Sequence, residues 1–268
     1  MIEHLWLIPL GFASGLLGSM TGLGGGIITV PVMVFLGFPH TLAASNSLLA
    51  TFSNAVASTI SYSRQKRIEY ALGLKLGLLS LPGTVAGAWV TSDVAHHNFQ
   101  FLFGLVLVVS AAYLLLKPRL TKDSGKGTSG GKNPLYSFPG MMIVFLAGVS
   151  FFAGMASSFF GIGGGIIFVP LMVAGLGMSI KRAAPTSQMI LLFASLSGIT
   201  VHGFLGNPDL LQASFMAIGA FAGGITGARL SIEAKERNLR LLTFGVILAA
   251  SAKMFYDSTL ETPEPVVP

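Results

Sequence analysis

The chain has 268 residues, of which 52% are hydrophobic and only 10% charged, and its mean hydropathy is +0.75. A soluble domain carries roughly 25% charged residues, so this composition excludes a water-soluble globule, and its hydrophobicity excludes a disordered chain. The sequence contains no cysteine, which excludes disulfides, thiolate metal sites and cysteine nucleophiles. We therefore expect an all-α polytopic membrane protein.

Apolar stretches divide the chain into eight hydrophobic blocks. Six of them have about 18–23 residues, which is the length that crosses a bilayer once as a helix. The first and the fifth are much longer and are interrupted near their middle by glycine clusters, so each is predicted to pass in and out as a pair of short helices. The blocks lie at 5–36, 41–63, 71–91, 99–116, 139–176, 183–205, 210–230 and 239–256.

The sequence repeats itself at a nearly constant offset. Four pairs of segments match in order: Thr21–Pro31 with Phe160–Pro170, Ala43–Ser47 with Ala183–Ser187, Gly83–Ala88 with Gly223–Ala228, and Phe103–Leu107 with Phe244–Leu248. The shared order and spacing predict an internal duplication. It divides the chain into a first membrane repeat at 1–116, a cytoplasmic loop at 117–138, a second repeat at 139–256 and a polar tail at 257–268.

The basic residues orient these repeats. Cytoplasmic loops of membrane proteins are enriched in lysine and arginine. If each long block returns to the side from which it entered, 15 of the 16 basic residues lie on the cytoplasmic side, and both termini lie outside. The net charge of +6 is then explained by the basic residues of the cytoplasmic loops and does not indicate nucleic-acid binding. The two repeats come out inverted relative to each other, as in many secondary transporters.

Each long block contains three consecutive glycines, Gly24, Gly25 and Gly26 in the first and Gly163, Gly164 and Gly165 in the second. A helix break at membrane depth is tolerated where its backbone lines a cavity or is buried in protein. The helix that starts after such a break presents free N–H groups to an anion, and these half-helices are predicted to end near Pro31 and Pro170. The alternative interpretation is close helix packing through small residues.

Polar residues recur in the block that follows each glycine cluster. The candidate substrate-binding side chains are Asn46, Ser47 and Asn54 in the first repeat and Thr186, Ser187 and Gln188 in the second. Amide and hydroxyl groups can donate hydrogen bonds to an anion. Because Asn46, Ser47, Thr186 and Ser187 fall near the predicted starts of their helices, N-capping is the competing explanation. The third matched pair, Gly83–Ala88 and Gly223–Ala228, is interpreted as helix-packing seams.

The sequence offers no arrangement of residues typical of catalysis or of cofactor binding. No Asp or Glu falls within a block centre, and His202 is the one histidine inside an apolar block, where an interfacial histidine is favoured over a proton carrier. No Ser/His/Asp arrangement or metal-ligand spacing appears. We expect no enzyme activity, no metal and no cofactor, and we leave open a coupling proton or cation.

The doubled Gly-x-Gly-Gly-Gly-Ile-Ile-x-Val-Pro motif at 22–31 and 161–170 resembles the TauE/SafE family of sulfite and organosulfonate transporters. The resemblance covers about residues 5–256. It implies a multi-pass carrier in the inner (plasma) membrane for a small anion such as sulfite, sulfoacetate, taurine or isethionate. It also implies that both glycine clusters, Asn46, Ser47, Thr186 and Ser187 lie near the translocation site. A carrier for another small organic anion and a passive anion channel remain alternatives, and homo-oligomerisation is left open.

Overall fold

The computed structural model describes residues 4–91, 98–99, 101–108, 140–235, 237–238, 241–242, 244–245 and 248–252. Eight helices are bounded within this part of the chain, and no strand occurs in it. They are α1 Leu7–Thr21, α2 Gly26–Phe35, α3 His40–Arg64, α4 Tyr70–Thr91, α5 Gly140–Phe160, α6 Gly165–Pro170, α7 Ile180–Phe204 and α8 Leu210–Glu233. A π-helical turn, Leu171–Gly175, follows α6 directly.

The surface of the molecule is apolar and its interior is partly polar. Large hydrophobic side chains face outward, including Phe204 at 88% exposure and Val144 at 71%, while Asn46 and Gln188 are fully buried. Helices α4, α7 and α8 are each long and apolar enough to span a membrane. A protein in water rarely exposes this much contiguous apolar surface, so the distribution is that of a helical membrane protein.

The glycine clusters do break the two long blocks, as predicted. Gly22–Gly25 separates α1 from α2, and Gly161–Gly164 separates α5 from α6. The predicted end of the first half-helix is wrong, because α2 continues through Pro31 to Phe35. The second half-helix stops at Pro170 and changes to a π turn. The ten-residue α2 is therefore the longer of the two half-helices.

Glycine-lined seams join each half to the other. A side chain at Gly83 or Gly87 on α4 would overlap the backbone of α5, at the carbonyls of Phe151 and Met155. Side chains at the matching positions on α8, Gly223 and Gly227, would overlap the backbone of α1. The prediction that these small residues serve close packing is confirmed. The predicted loop 117–138 and the tail 257–268 lie outside the described residues, as does the block 99–116 beyond residue 108.

Candidate functional site

The two glycine breaks lie against each other. A Cβ atom at Gly26 would overlap the carbonyl oxygen of Gly161, and one at Gly165 would overlap the carbonyl oxygen of Gly22. Both breaks therefore require glycine for a close backbone approach between the two halves. The segments that the sequence relates by duplication meet in the interior, and all six glycines predicted for the site are buried.

Two serines form equivalent hydrogen bonds to the two breaks. Ser47 on α3 donates to the carbonyl of Gly161 at 2.8 Å, and Ser187 on α7 donates to the carbonyl of Gly22 at 2.7 Å. Each hydroxyl thus holds the break of the opposite half. Because a backbone carbonyl left unpaired in the interior is costly, these bonds stabilise the interrupted helices. Both serines are therefore brought to the site, in a supporting role.

Asn46 and Thr186 do cap helices, but not their own. Helix α3 begins at His40 and α7 at Ile180, so both residues lie well inside their helices, and the competing explanation that they cap these helices is wrong. The Asn46 side-chain carbonyl accepts from the backbone N–H of Asp209 just before α8, at 3.0 Å. The Thr186 hydroxyl accepts from the backbone N–H of Glu69 just before α4, also at 3.0 Å. Each residue satisfies a helix start in the opposite half.

Asn54 and Gln188 form a polar cluster with Ser58 beside the first break. Gln188 donates to the carbonyl of Gly18 at 2.9 Å, and its side-chain oxygen accepts from Asn54 at 3.5 Å and from Ser58 at 3.4 Å. The single hydroxyl hydrogen of Ser58 is shared between Gln188 and the backbone carbonyl of Asn54. An amide nitrogen carries two hydrogens, so these bonds leave each amide able to donate once more. The structure brings the two predicted residues together.

Sequence reasoning missed Thr51 and Ser58 as site residues. Together with Ser47 and Asn54 they occupy positions i, i+4, i+7 and i+11 of α3, which place four polar side chains along one buried face of the helix. We call this row, Ser47, Thr51, Asn54 and Ser58, the α3 stripe. It extends over about 16 Å at 1.5 Å per residue. The spacing itself was the signal that could have found all four.

Comparison with known proteins identifies the family. A model of the sulfite exporter TauE/SafE family matches residues 7–254. The chain belongs to the TauE/SafE family. It is 29% identical to the probable membrane transporter protein YunE of Bacillus subtilis, over 94% of this chain and 97% of that protein, and 27% identical to the probable membrane transporter protein MJ0441 of Methanocaldococcus jannaschii, over 91% and 94%. No solved structure matches the chain with statistical significance.

His202 of this TauE/SafE chain is fully buried within the protein. Its Nε2 lies 3.2 Å from the Ser158 carbonyl, and its Nδ1 lies 3.0 Å from the Asn207 side-chain amide. A neutral ring that donates from Nε2 and accepts at Nδ1 satisfies both contacts. Tyr62, the residue that the duplication matches to His202, makes the same kind of bond, from its hydroxyl to the Ser19 carbonyl at 2.8 Å. The neutral histidine therefore has a structural role, which is to make these two hydrogen bonds.

Arg67 connects the two halves of the TauE/SafE molecule at the end where the basic loops lie. Its guanidinium donates to the Lys181 carbonyl at 3.0 Å and to the Ser231 hydroxyl at 2.9 Å. Partial burial lowers the pKa of this guanidinium from its ordinary value, although arginine remains charged in proteins. Nearby, Arg182 pairs with Glu69 at 2.5 Å. Both contacts join the α3–α4 region of one half to the α7–α8 region of the other.

An apolar cavity of about 350 Å³ opens on the outside of α2. Its walls are Leu17, Ile27, Ile28, Pro31, Val32, Phe35, Ala249 and Ala250. None of the predicted substrate-binding residues of the TauE/SafE chain lines it. The cavity is thus distinct from the polar interior at the breaks.

Proposed function

We propose that the protein is a secondary transporter that carries a small sulfur-containing anion, sulfite or an organosulfonate such as sulfoacetate, taurine or isethionate, across the plasma membrane. Membership of the TauE/SafE family supports the transport activity. The observation that carries the choice of site is the contact between the two glycine breaks, with neutral hydrogen-bond donors beside them. We propose no catalytic step and no cofactor.

The charge pattern supports an anion as the substrate. No Asp, Glu, Lys or Arg occurs from residue 4 to 63 or from 133 to 180, the two segments that contain the breaks. A carboxylate there would repel an anion, whereas an arginine would hold it tightly. Neutral hydroxyl and amide donors, together with the N-terminus of α2, attract an anion and also allow its release.

Alternating access is the proposed mechanism. The matched contacts support two equivalent repeats, and the distribution of the basic residues supports their inversion. The bonds of Ser47 and Ser187 correspond at the breaks, as those of Tyr62 and His202 correspond further along α3 and α7. In such transporters one repeat rocks against the other around a fixed site. Opening towards the cytoplasm would require the bonds from Arg67 to Lys181 and Ser231 to break.

Counterflow in proteoliposomes tests this proposal. Vesicles with purified full-length protein are loaded with unlabelled sulfite, and labelled sulfite is added outside at low concentration. A carrier accumulates the label transiently above its outside concentration, and we expect this result. Simple equilibration without overshoot would identify a channel instead. Accumulation of labelled acetate, with none of sulfite or sulfoacetate, would identify a carboxylate carrier.

A further inference from the structure

Thr51 occupies the point where the two breaks face α3. It is fully buried, in the second position of the α3 stripe. Its γ-methyl carbon lies 2.6 Å from where a Cβ at Gly163 would stand and 3.2 Å from the same point at Gly24. The threonine side chain therefore fills the space that both glycines leave open. No other member of the α3 stripe is placed by these contacts against both breaks.

The Thr51 hydroxyl has no hydrogen-bond partner among the described residues. The other three members of the stripe are bonded: Ser47 to Gly161, and Asn54 and Ser58 to Gln188. An unpaired hydroxyl in the interior is destabilising. The residue that the duplication matches to Thr51 is Leu191, whose side chain also lies against Gly24 and Gly163. An apolar residue therefore fits this place, and packing alone does not require the hydroxyl.

We propose that the Thr51 hydroxyl donates a hydrogen bond to an oxygen of the transported anion, bound beside the two breaks on the side of Thr51 that carries the hydroxyl. This inference rests on the proposed function and names a residue that determines affinity. The N-terminus of the ten-residue α2 begins two residues after Gly24, so its free N–H groups lie beside the same position. The buried hydroxyl without a partner is the observation, independent of the helix N-terminus, on which the inference of a ligand rests.

Three variants of the full chain test the proposal. Thr51→Val keeps the shape of the side chain and removes the hydroxyl, whereas Thr51→Ser keeps the hydroxyl. Thr59→Val is the matched control, because the Thr59 hydroxyl is also buried and unpartnered on α3, two turns further along. The unfolding temperature of the purified protein in detergent is measured against the concentration of sulfite, thiosulfate, sulfoacetate and acetate, since a ligand of the folded state raises it.

We expect Thr51→Val to weaken the anion affinity at least tenfold, while Thr51→Ser and Thr59→Val stay within twofold of the unsubstituted protein. The unliganded Thr51→Val protein should unfold at an unchanged or higher temperature, because an unpaired hydroxyl is removed. Unchanged affinity in Thr51→Val, or an equal loss in Thr51→Ser, would overturn the inference.

The same titration separates this inference from the proposed function. If only acetate stabilises the unsubstituted protein, the sulfur-anion proposal fails, and loss of that effect in Thr51→Val still supports Thr51 as the ligand. If sulfite or a sulfonate binds equally well to both proteins, only the inference about Thr51 fails. If none of the four anions stabilises the unsubstituted protein, both proposals are rejected.

Discussion

Helices α3 and α7 occupy matching places in the two halves, yet they differ in polarity along the face that meets the breaks. The α3 stripe reads Ser47, Thr51, Asn54 and Ser58, whereas the positions that the duplication matches to it read Ser187, Leu191, Ala194 and Gly198. Only the first pair is alike, and both serines bond a carbonyl of the opposite break.

The serines that α3 and α7 share make structural contacts, whereas the other three positions of the α3 stripe differ between the two helices. Contacts that close the fold recur in both halves: the serine bonds, the helix starts bonded by Asn46 and Thr186, and the glycine seams. The buried hydroxyls without a partner do not follow the duplication: among the described residues they are Thr51 and Thr59 on α3, and Ser150, Ser157 and Ser158 on α5. A duplicated scaffold can thus carry polar groups that differ between its halves, because only the contacts that close the fold need to match.

The largest effect is expected where the two halves are most alike. Gly26→Ala and Gly165→Ala each place a methyl group onto a backbone carbonyl of the opposite break. Backbone cannot move aside as a flexible side chain does, so each variant should lose about 3 kcal/mol of unfolding free energy, and sulfite transport with it. Thermal unfolding and proteoliposome uptake measure both effects.

The control for these variants is Gly148→Ala, where nothing lies within 4 Å of the added methyl. It should be as stable as the unsubstituted protein. A severe loss in Gly26→Ala with a harmless Gly165→Ala would contradict the equivalence of the two breaks.

The serine pair should give a smaller and equal effect. Ser47→Ala leaves the Gly161 carbonyl unpaired, and Ser187→Ala does the same to the Gly22 carbonyl. Each should cost about 1–3 kcal/mol of unfolding free energy. Ser214→Ala, which removes an exposed hydroxyl bonded only within its own helix, serves as the control in the same unfolding assay. Unequal losses would show that the two breaks depend on these bonds to different degrees.

A third pair of variants sharpens the difference between the breaks. Gly164 has φ of 82°, in the left-handed region, whereas Gly25 has φ of −72°. Their surroundings are similar, with nearest neighbours 3.1 Å and 3.2 Å from an added Cβ. Because the left-handed conformation costs a non-glycine residue about 1–2 kcal/mol, Gly164→Ala should be less stable than Gly25→Ala by that amount. Equal unfolding temperatures would contradict this explanation.

Much of the fold was predictable, because it depends on periodicity and composition. Glycine triplets marked the breaks, and the Gly83 and Gly223 segments marked the packing seams. The site was predictable only in part. Asn46 and Thr186 were selected from the sequence as candidate substrate-binding residues, but which backbone groups they bond depends on contacts across the molecule, between residues far apart in the sequence. The spacing of Thr51 places it on the polar face of α3, but its contact with both breaks is a tertiary relation that the spacing does not report.

The smallest effect is expected near the C-terminal end of α7, where His202 takes the place of Tyr62. Each donates to a carbonyl of the broken block in its own half, Ser158 or Ser19. His202→Gln retains an N–H donor for the Ser158 carbonyl, so sulfite uptake should keep its rate and its dependence on pH. His202→Phe removes the donor and should lose about 1 kcal/mol of stability while the folded protein keeps the same pH profile. A pH profile flattened in both variants would instead make His202 a proton carrier, and α7 would then contribute ion coupling in place of the purely structural bond that Tyr62 makes on α3.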